Sequence, residues 1–414
     1  MHDFKYRGPY LYAEDLRLID LAKKVGTPAY VYSRKSFYNH FHKLDKAFSS
    51  IDHLICYSLK ANSNLALLTL LAKWGAGADV VSAGELYLAL KAGLRPDKIV
   101  YAGVGKREDE IAYGLKTGIK LFNVESLPEL DLINKVAQSL GKRPEVALRL
   151  NPDIEAHTHR FLTTAKKETK FGLSFSRVRD ILYASHKWPN LNFVGLHVHL
   201  GSQITDISPY KKALRELRSF IKEFLKPRGI TIKFLDLGGG LGITYDKETP
   251  STAANFSRNI LPLLKELKIK LILEPGRFIA GNSGILLTQV LYIKEGAGKK
   301  FVIVDAGMND LIRPALYQAH HEIKPLVRKG GQRERVDVVG PICESADFLG
   351  LDRLIQPLSP GDYLAVMSAG AYGFTMSSNY NSRPRPPEIL VQGKSFKVVR
   401  KRETYRDLIR GTIV

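Results

Sequence analysis

The sequence predicts an α/β protein, a parallel (β/α)8 TIM barrel followed by an all-β domain of the Greek-key-like barrel type. Three observations carry that prediction. Short β-branched runs alternate with amphipathic helical patterns over the first two-thirds of the chain. Polar residues and glycines collect at the C-terminal ends of those runs, where a barrel keeps its chemistry. Beyond about residue 281 the helices thin out, and strands follow one another across glycine and proline turns. An open doubly wound sheet is the alternative reading of the same alternation.

Residues 1–34 form an N-terminal segment whose "TPAYVYS" is strand-like and could join either domain, the β-domain among them. The barrel is expected over 35–280. Its strands are read as His53–Lys60, Gly77–Val81, Lys98–Gly103, Lys120–Glu125, Glu145–Pro152, Phe193–Leu200, Phe234–Gly240 and Leu271–Arg277. Between them "NLALLTLLAKWG", "AGELYLALKAG", "SLPELDLINKVAQSLG", "SFSRVRDILYASHKW" and "SPYKKALRELRSFIKEFLKPRG" repeat apolar residues at three- and four-residue spacing, as amphipathic helices do. The β-domain, 281–414, contains "GILLTQVLYIKEG", "KKFVIVDAG", "RVDVVGPIC", "GDYLAVMSAGAYG" and "SFKVVRKRE".

Composition narrows the function. The 414 residues are 44% hydrophobic and 25% charged, the balance of a soluble globular protein. No apolar run approaches the ~18–20 residues that span a bilayer. The opening "MHDFKYRGPYLYAEDLRL" carries charges in every turn, which is unlike a signal peptide, so the cytoplasm is the expected compartment. Cys56 and Cys343 are the only cysteines and make neither a disulfide framework nor a zinc motif. The net charge of +21 raises nucleic acid as a partner. Its basic clusters are scattered and lack interleaved aromatics, which favours anionic small molecules instead.

Lys60 poses the first chemical question. It ends a buried run and precedes Ala61-Asn62-Ser63-Asn64. A lysine there either snorkels to solvent or serves as an amine that forms a Schiff base with a carbonyl. Asp79, at the next strand end, is a candidate site residue or a helix N-cap; Asn151 is a polar end or a plain turn. Gly238–Gly240 remove side chains so that backbone N–H groups can approach an anion, or they make a tight turn. Gly201 and Ser202 offer a second small loop. His197 and His199 alternate and so share a face, which would suit a metal ion if a carboxylate or third nitrogen joined them. Glu274, in "EPGR" with Pro275 and Gly276, could hold a ring nitrogen protonated, and Arg277 could fork to a carboxylate or phosphate. The plainer reading of those two is a local salt bridge.

Seven ordered motifs, "YSLKAN", "HVHLGSQ", "LDLGGGLG", "EPGR", "RPALY", "GPICES" and "SAGAYG", resemble the diaminopimelate decarboxylase family of pyridoxal-phosphate enzymes, built on an alanine-racemase-like barrel plus a β-domain. The resemblance covers about Thr27 to Tyr380 without a departure at a motif position. It implies pyridoxal 5'-phosphate as cofactor, held by Lys60, with His199 stacked on its ring and Glu274 on its nitrogen. Asp79, Ser202, Gly239, Gly240, Pro275, Gly276, Arg277 and Tyr372 are implied as further cofactor-binding residues. For the substrate it implies Arg277, Arg313 and Tyr317 on the far carboxylate, Glu344 on the far ammonium, and Tyr372 touching both molecules. Cys343 is implied as proton donor. Because Cys343 and Glu344 reach the partner's site in this family, a homodimer is implied, and no metal. The implied reaction converts meso-2,6-diaminopimelate through an external aldimine to L-lysine and CO2, the last step of lysine biosynthesis.

On the residues alone other readings stay open. Cys343 could be a small buried hydrophobe, and Arg313 with Tyr317 a surface pair on one helical turn. Decarboxylases of ornithine, arginine or carboxynorspermidine share the fold, but a cationic tail would not want Arg277 and Arg313. A racemase would avoid an acid at the ring nitrogen. A non-catalytic pyridoxal-phosphate carrier would have little use for Cys343-Glu344 and the arginines. A metal-dependent barrel hydrolase would be indifferent to Lys60.

Overall fold

A computed structural model of the chain describes residues 2–154, 170–296 and 298–413. It divides into two compact units, one of 42–242 with 249–276, the other of 1–41 with 243–248 and 277–414. Among the described residues no helix is long and apolar enough to cross a membrane.

The first unit holds a closed barrel of eight parallel strands. They are His53–Ser58, Gly77–Val80, Ile99–Tyr101, Leu121–Val124, Glu145–Arg149, Asn192–His197, Phe234–Asp236 and Lys270–Leu273, each paired with the next. The eighth closes on the first through Leu271 against His53 and Leu273 against Ile55. The (β/α)8 arrangement is therefore the one formed, and the open sheet is not. Most strands stop short of the β-branched runs, because the residues that leave each run turn their backbone to loops instead of ladders.

Side-chain alternation splits the barrel interior into two halves. Leu54, Cys56, Val100, Leu121, Ala147, Val194, Phe234 and Ile272 form one buried apolar cluster. Two residues further along the same strands stand Ser58, Asn123, Arg149, Asp236 and Glu274, so period two alone carries the lining from apolar to polar. In the sixth strand Phe193 pairs with Val146 and Gly195 with Ala147, which leaves Val194 as an extra residue. That bulge lets Val194 and His197, three apart, both count among the interior residues.

Serines start several of the outer helices. Ser82, Ser126 and Ser174 accept from the N–H groups of Glu85, Glu129 and Arg177. Ser82, not Asp79, is thus the N-cap after the second strand. The single helix expected over 208–229 is three pieces: Ser208–Ser219, a wider π turn Phe220–Leu225 and a 3-10 turn Lys226–Arg228. Pro227 has no N–H for the preceding turn, and its ring displaces the carbonyl there.

The second unit is mostly strand. Its hub is Gly284–Gly296, which runs antiparallel to Ala29–Ser33, Tyr363–Val366 and Lys299–Val304. Ala29–Ser33, from "TPAYVYS", also pairs in parallel with Glu388–Gln392. Strands not read from the sequence include Phe348–Ile355, Glu388–Gln392, Ile323–Pro325 and the N-terminal Phe4–Arg7 and Tyr10–Ala13. Phe4, Leu11, Leu18, Val31, Ile285, Leu287, Ala365, Met367 and Ile389 belong to its core.

Candidate active site

The C-terminal ends of the barrel strands carry the first cluster. Lys60 sits not in the strand but in a 3-10 turn, Leu59–Ala61, directly after it. The turn is pinned on both sides. Tyr57 Oη donates to the Asn62 carbonyl at 3.1 Å, and Asn64 Oδ1 accepts from Ala66 to cap the next helix. Lys60 Nζ donates to Asp79 Oδ2 at 3.0 Å, and Ser58 Oγ donates to the same oxygen. The Lys60 side chain is 37% exposed while that of Asp79 is fully buried, so the amine is anchored at its acid yet open to an incoming molecule. Burial, and then the charge of Glu274, hold the Asp79 carboxyl above its ordinary range.

Glu274 lies behind this pair, just past the eighth strand. Asn123 Nδ2 donates both to Glu274 Oε1 at 3.1 Å and to Asp236 Oδ2 at 3.0 Å. The Gly238 N–H donates to Asp236 Oδ1 at 2.9 Å. Burial, then the charge of Glu274, push Asp236 well above the carboxylate range. Burial would raise Glu274 too, but the His197 ring at 3.5 Å, Lys60 and the hydrogen bond from Asp236 hold it well below that range. Burial and neighbours thus favour the protonated form at Asp236 and the ionised form at Glu274, both side chains being buried.

His199 and the glycines complete the mouth. Nδ1 of His199 accepts from the Gly239 N–H at 3.1 Å, which leaves its hydrogen on Nε2. Burial, then Arg149 and Lys60, keep this ring neutral by pushing it well below the usual histidine value. A Cβ on Gly239 would stand 2.3 Å from the Glu274 carbonyl, and one on Gly240 2.5 Å from that of Gly201. The glycines are therefore required by the close approach of three loops. Gly276 likewise permits contact with the lysine turn, since a Cβ there would meet Ala61 Cβ at 2.8 Å, and Ser58 N–H donates to the Pro275 carbonyl at 3.2 Å. Ser202 follows Gly201 in the loop after the sixth strand. Among the described residues the N–H groups of Gly240 and Gly276 have no acceptor.

His197, Asp236 and Glu274 place donor atoms within 4.8 Å of one another, close enough for a metal ion. His199 is not part of that group, so the His-x-His pair does not converge on one point. Asn151 makes a turn, with Nδ2 donating to the Phe171 carbonyl at 3.0 Å.

The second unit holds the other predicted residues. Arg277 and Arg313 are buried. Arg277 Nη1 donates to Tyr245 Oη at 2.6 Å, and its guanidinium lies 4.8 Å from the Tyr372 ring centroid. Arg313 stands 4.6 Å over the Tyr245 ring, so one tyrosine meets Arg313 with its face and Arg277 with its hydroxyl. Tyr372 has φ 56, a left-handed conformation that a non-glycine adopts at a cost. Arg313 and Tyr317 begin and end the helix Arg313–Tyr317; with Arg313 buried, the surface-pair reading does not hold. Cys343 is exposed, against the reading of it as a buried hydrophobe, and its N–H donates to Asn381 Oδ1 at 2.8 Å. Glu344 is exposed and its Oε1 accepts from Ala346 N–H.

Sequence reasoning passed over Asn123, Asp236, Tyr245 and His321. For the first two a signal existed, since each is a polar residue inside an apolar strand on the inward phase. Tyr245 and His321 lie in irregular stretches with no periodicity to expose them.

The model of the pyridoxal-dependent decarboxylase pyridoxal binding domain matches residues 34–281. The diaminopimelate decarboxylase of Aquifex aeolicus is 49% identical over 99% of this chain and 97% of its own. The crystal structure of diaminopimelate decarboxylase from Helicobacter pylori with L-lysine superposes with a TM-score of 0.91 at 42% identity, covering 95% of this chain and 98% of the other. That of the M. jannaschii enzyme with L-lysine gives 0.94 at 39%, over 100% and 99%.

Proposed function

The chain belongs to the diaminopimelate decarboxylases, within the pyridoxal-dependent decarboxylases, and on that footing we propose that it converts meso-2,6-diaminopimelate to L-lysine and CO2. The observation that carries the reading is the sorting of charge at the barrel mouth, with Lys60 on Asp79 and an ionised, buried Glu274 behind them.

The residues present fit pyridoxal 5'-phosphate. Lys60 would hold its aldehyde carbon. The unmatched N–H groups of Gly240 and Gly276 suit a phosphate, with Gly239 and Ser202 beside them. Glu274, held well below the carboxylate range by its neighbours, suits a protonated ring nitrogen, and His199, pushed below the usual histidine value, suits the face of a cationic ring. Bound there, the cofactor supplies an electron sink for the bond to the departing carboxylate.

The chain's own residues do the rest. Lys60 and Asp79 hold a proton between them at the rim. Arg277 and Arg313 offer charge to the substrate's far carboxylate, with Tyr317 and Tyr372 at their side. Glu344 takes the far ammonium, and Cys343 delivers a proton to the carbon that loses CO2. Two buried guanidiniums favour this substrate over ornithine or arginine, whose tails are cationic. We assign the working form to a homodimer in the cytoplasm, with boundaries near 34 and 280.

The test is CO2 release from meso-diaminopimelate beside ornithine, arginine and lysine, with borohydride trapping of pyridoxal phosphate on the peptide that contains Lys60. Release from diaminopimelate alone and label on Lys60 are expected. Release from ornithine or arginine instead, or no label on Lys60, would overturn the reading.

A further inference from the structure

We infer that His321, fixed as the Nδ1–H tautomer by the Met367 carbonyl, is the positioning residue that aims Arg313 at the substrate's far carboxylate. The inference rests on the functional reading above for what Arg313 binds, and on geometry for how it is held.

Arg313 is 3% exposed and among the described residues no carboxylate pairs with it. One hydrogen bond holds its guanidinium there, from Nη1 to His321 Nε2 at 2.8 Å. An arginine can only donate, so Nε2 must present a lone pair. On the opposite edge of the same ring, Nδ1 lies 2.7 Å from the Met367 carbonyl, which can only accept, so Nδ1 must carry the hydrogen. The two partners demand the same tautomer. A protonated ring would put N–H against N–H and lose the bond.

The surroundings keep this imidazole neutral and still. It is fully buried, and Tyr245 packs edge-on against it at 5.2 Å and 75°. The same Tyr245 ring lies under Arg313, so the tyrosine and the histidine fix the guanidinium from its face and its edge. Burial first, and then Arg313, push His321 well below the usual histidine value. Arg313 Nε has no hydrogen-bond partner among the described residues, so donors remain for an anion. A neutral acceptor is the suitable holder for such a cation. A carboxylate in its place would hold the arginine as firmly but would cancel the charge that the substrate is to meet.

The experiment uses holoenzyme of the wild type, His321→Ala and His321→Gln. Glutamine can accept from Arg313 and donate to the Met367 carbonyl, so it is the rescue. For H321A the KM for meso-diaminopimelate should rise roughly 10- to 100-fold, the loss of a hydrogen bond to a charged group, while kcat stays within about 3-fold. H321Q should stay within about 5-fold of the wild-type KM on the same scale. The visible spectrum of the bound cofactor should be the same in all three proteins. A fall in kcat at unchanged KM, an unaltered H321A, or an H321Q as impaired as H321A would overturn the inference. Nitrogen-15 histidine labelling reads the ring directly: the signal missing from H321Q should be the Nδ1–H tautomer from about pH 6 to 9. A charged ring or the Nε2–H tautomer overturns the positioning whatever the substrate. A wild type inactive on diaminopimelate with the expected signal would instead fault the functional reading.

Discussion

The barrel mouth and the arginine cluster bury charge in opposite ways. At the mouth, Asp79, Asp236 and Glu274 crowd together, with one amine, one carboxamide and two imidazoles among them. The surplus is managed by protonation, for Asp236 is pushed up and Glu274 down. In the second unit, Arg277 and Arg313 cannot shed their protons, so they are spaced by Tyr245 and steadied by the neutral His321. The difference is instructive. Carboxylates share a site by letting one of them neutralise, whereas these two guanidiniums share one through the face and the hydroxyl of Tyr245. The first arrangement suits a cationic ring and an amine, the second an anionic group. Each is costly to desolvate, and on the proposed function each is offset by the molecule it binds.

Four measurements would break or sharpen this contrast. Lys60→Ala should have the largest effect, a fall of roughly 10^4-fold or more in turnover, since it removes the amine proposed to tether the cofactor. Borohydride should then leave no label on the chain. Persistent turnover would show that the mouth is not the reacting centre. Glu274→Gln keeps the shape and removes the charge. Its kcat should drop about 10^2- to 10^3-fold, the cost of one preorganised electrostatic partner, with the cofactor still bound by absorbance. An unchanged kcat would mean the carboxylate surplus is structural.

Arg313→Ala should act on binding instead, raising the KM for diaminopimelate roughly 100-fold with a smaller change in kcat. If it lowers kcat alone, the cluster is not an anion holder. The smallest effect concerns stability and pH. Glu85, which accepts from Val81 N–H at 2.8 Å near the mouth, is pushed up to about 7, mainly by burial and then by Asp79. A buried acid with a raised value binds its proton more tightly when folded, so stability is greatest below about pH 4 and declines as pH rises through 7. Glu85→Gln should therefore raise the free energy of unfolding at pH 8, by at most about 3 kcal/mol, and not at pH 4. Equal melting curves at the two values would refute the assignment.

Much of the barrel was legible because its signals are local. The β-branched runs located all eight strands, and the polar strand ends located Lys60, Asp79, His199 and Glu274 before any contact was known. The strand limits were less legible. Lys60 reads as the last residue of a strand, yet the Tyr57–Asn62 hydrogen bond and the Asn64 cap turn it into a 3-10 element. Phe348–Ile355 was hard to read because Asp352 and Arg353 interrupt its apolar pattern while Leu351 and Leu354 face solvent.

By itself the sequence determined the strand order, the inward phase of each strand and the motifs that mark the family, since these depend on neighbours a few residues apart. Tertiary structure alone decided which carboxylate keeps its charge. Asn123 reaches Asp236 and Glu274 across 113 and 151 residues of chain, and only closure of the barrel brings them within a hydrogen bond. The same holds for His321, whose tautomer is set by a carbonyl 46 residues away. Protonation follows burial and partners in space, and neither is a property of the chain read in order.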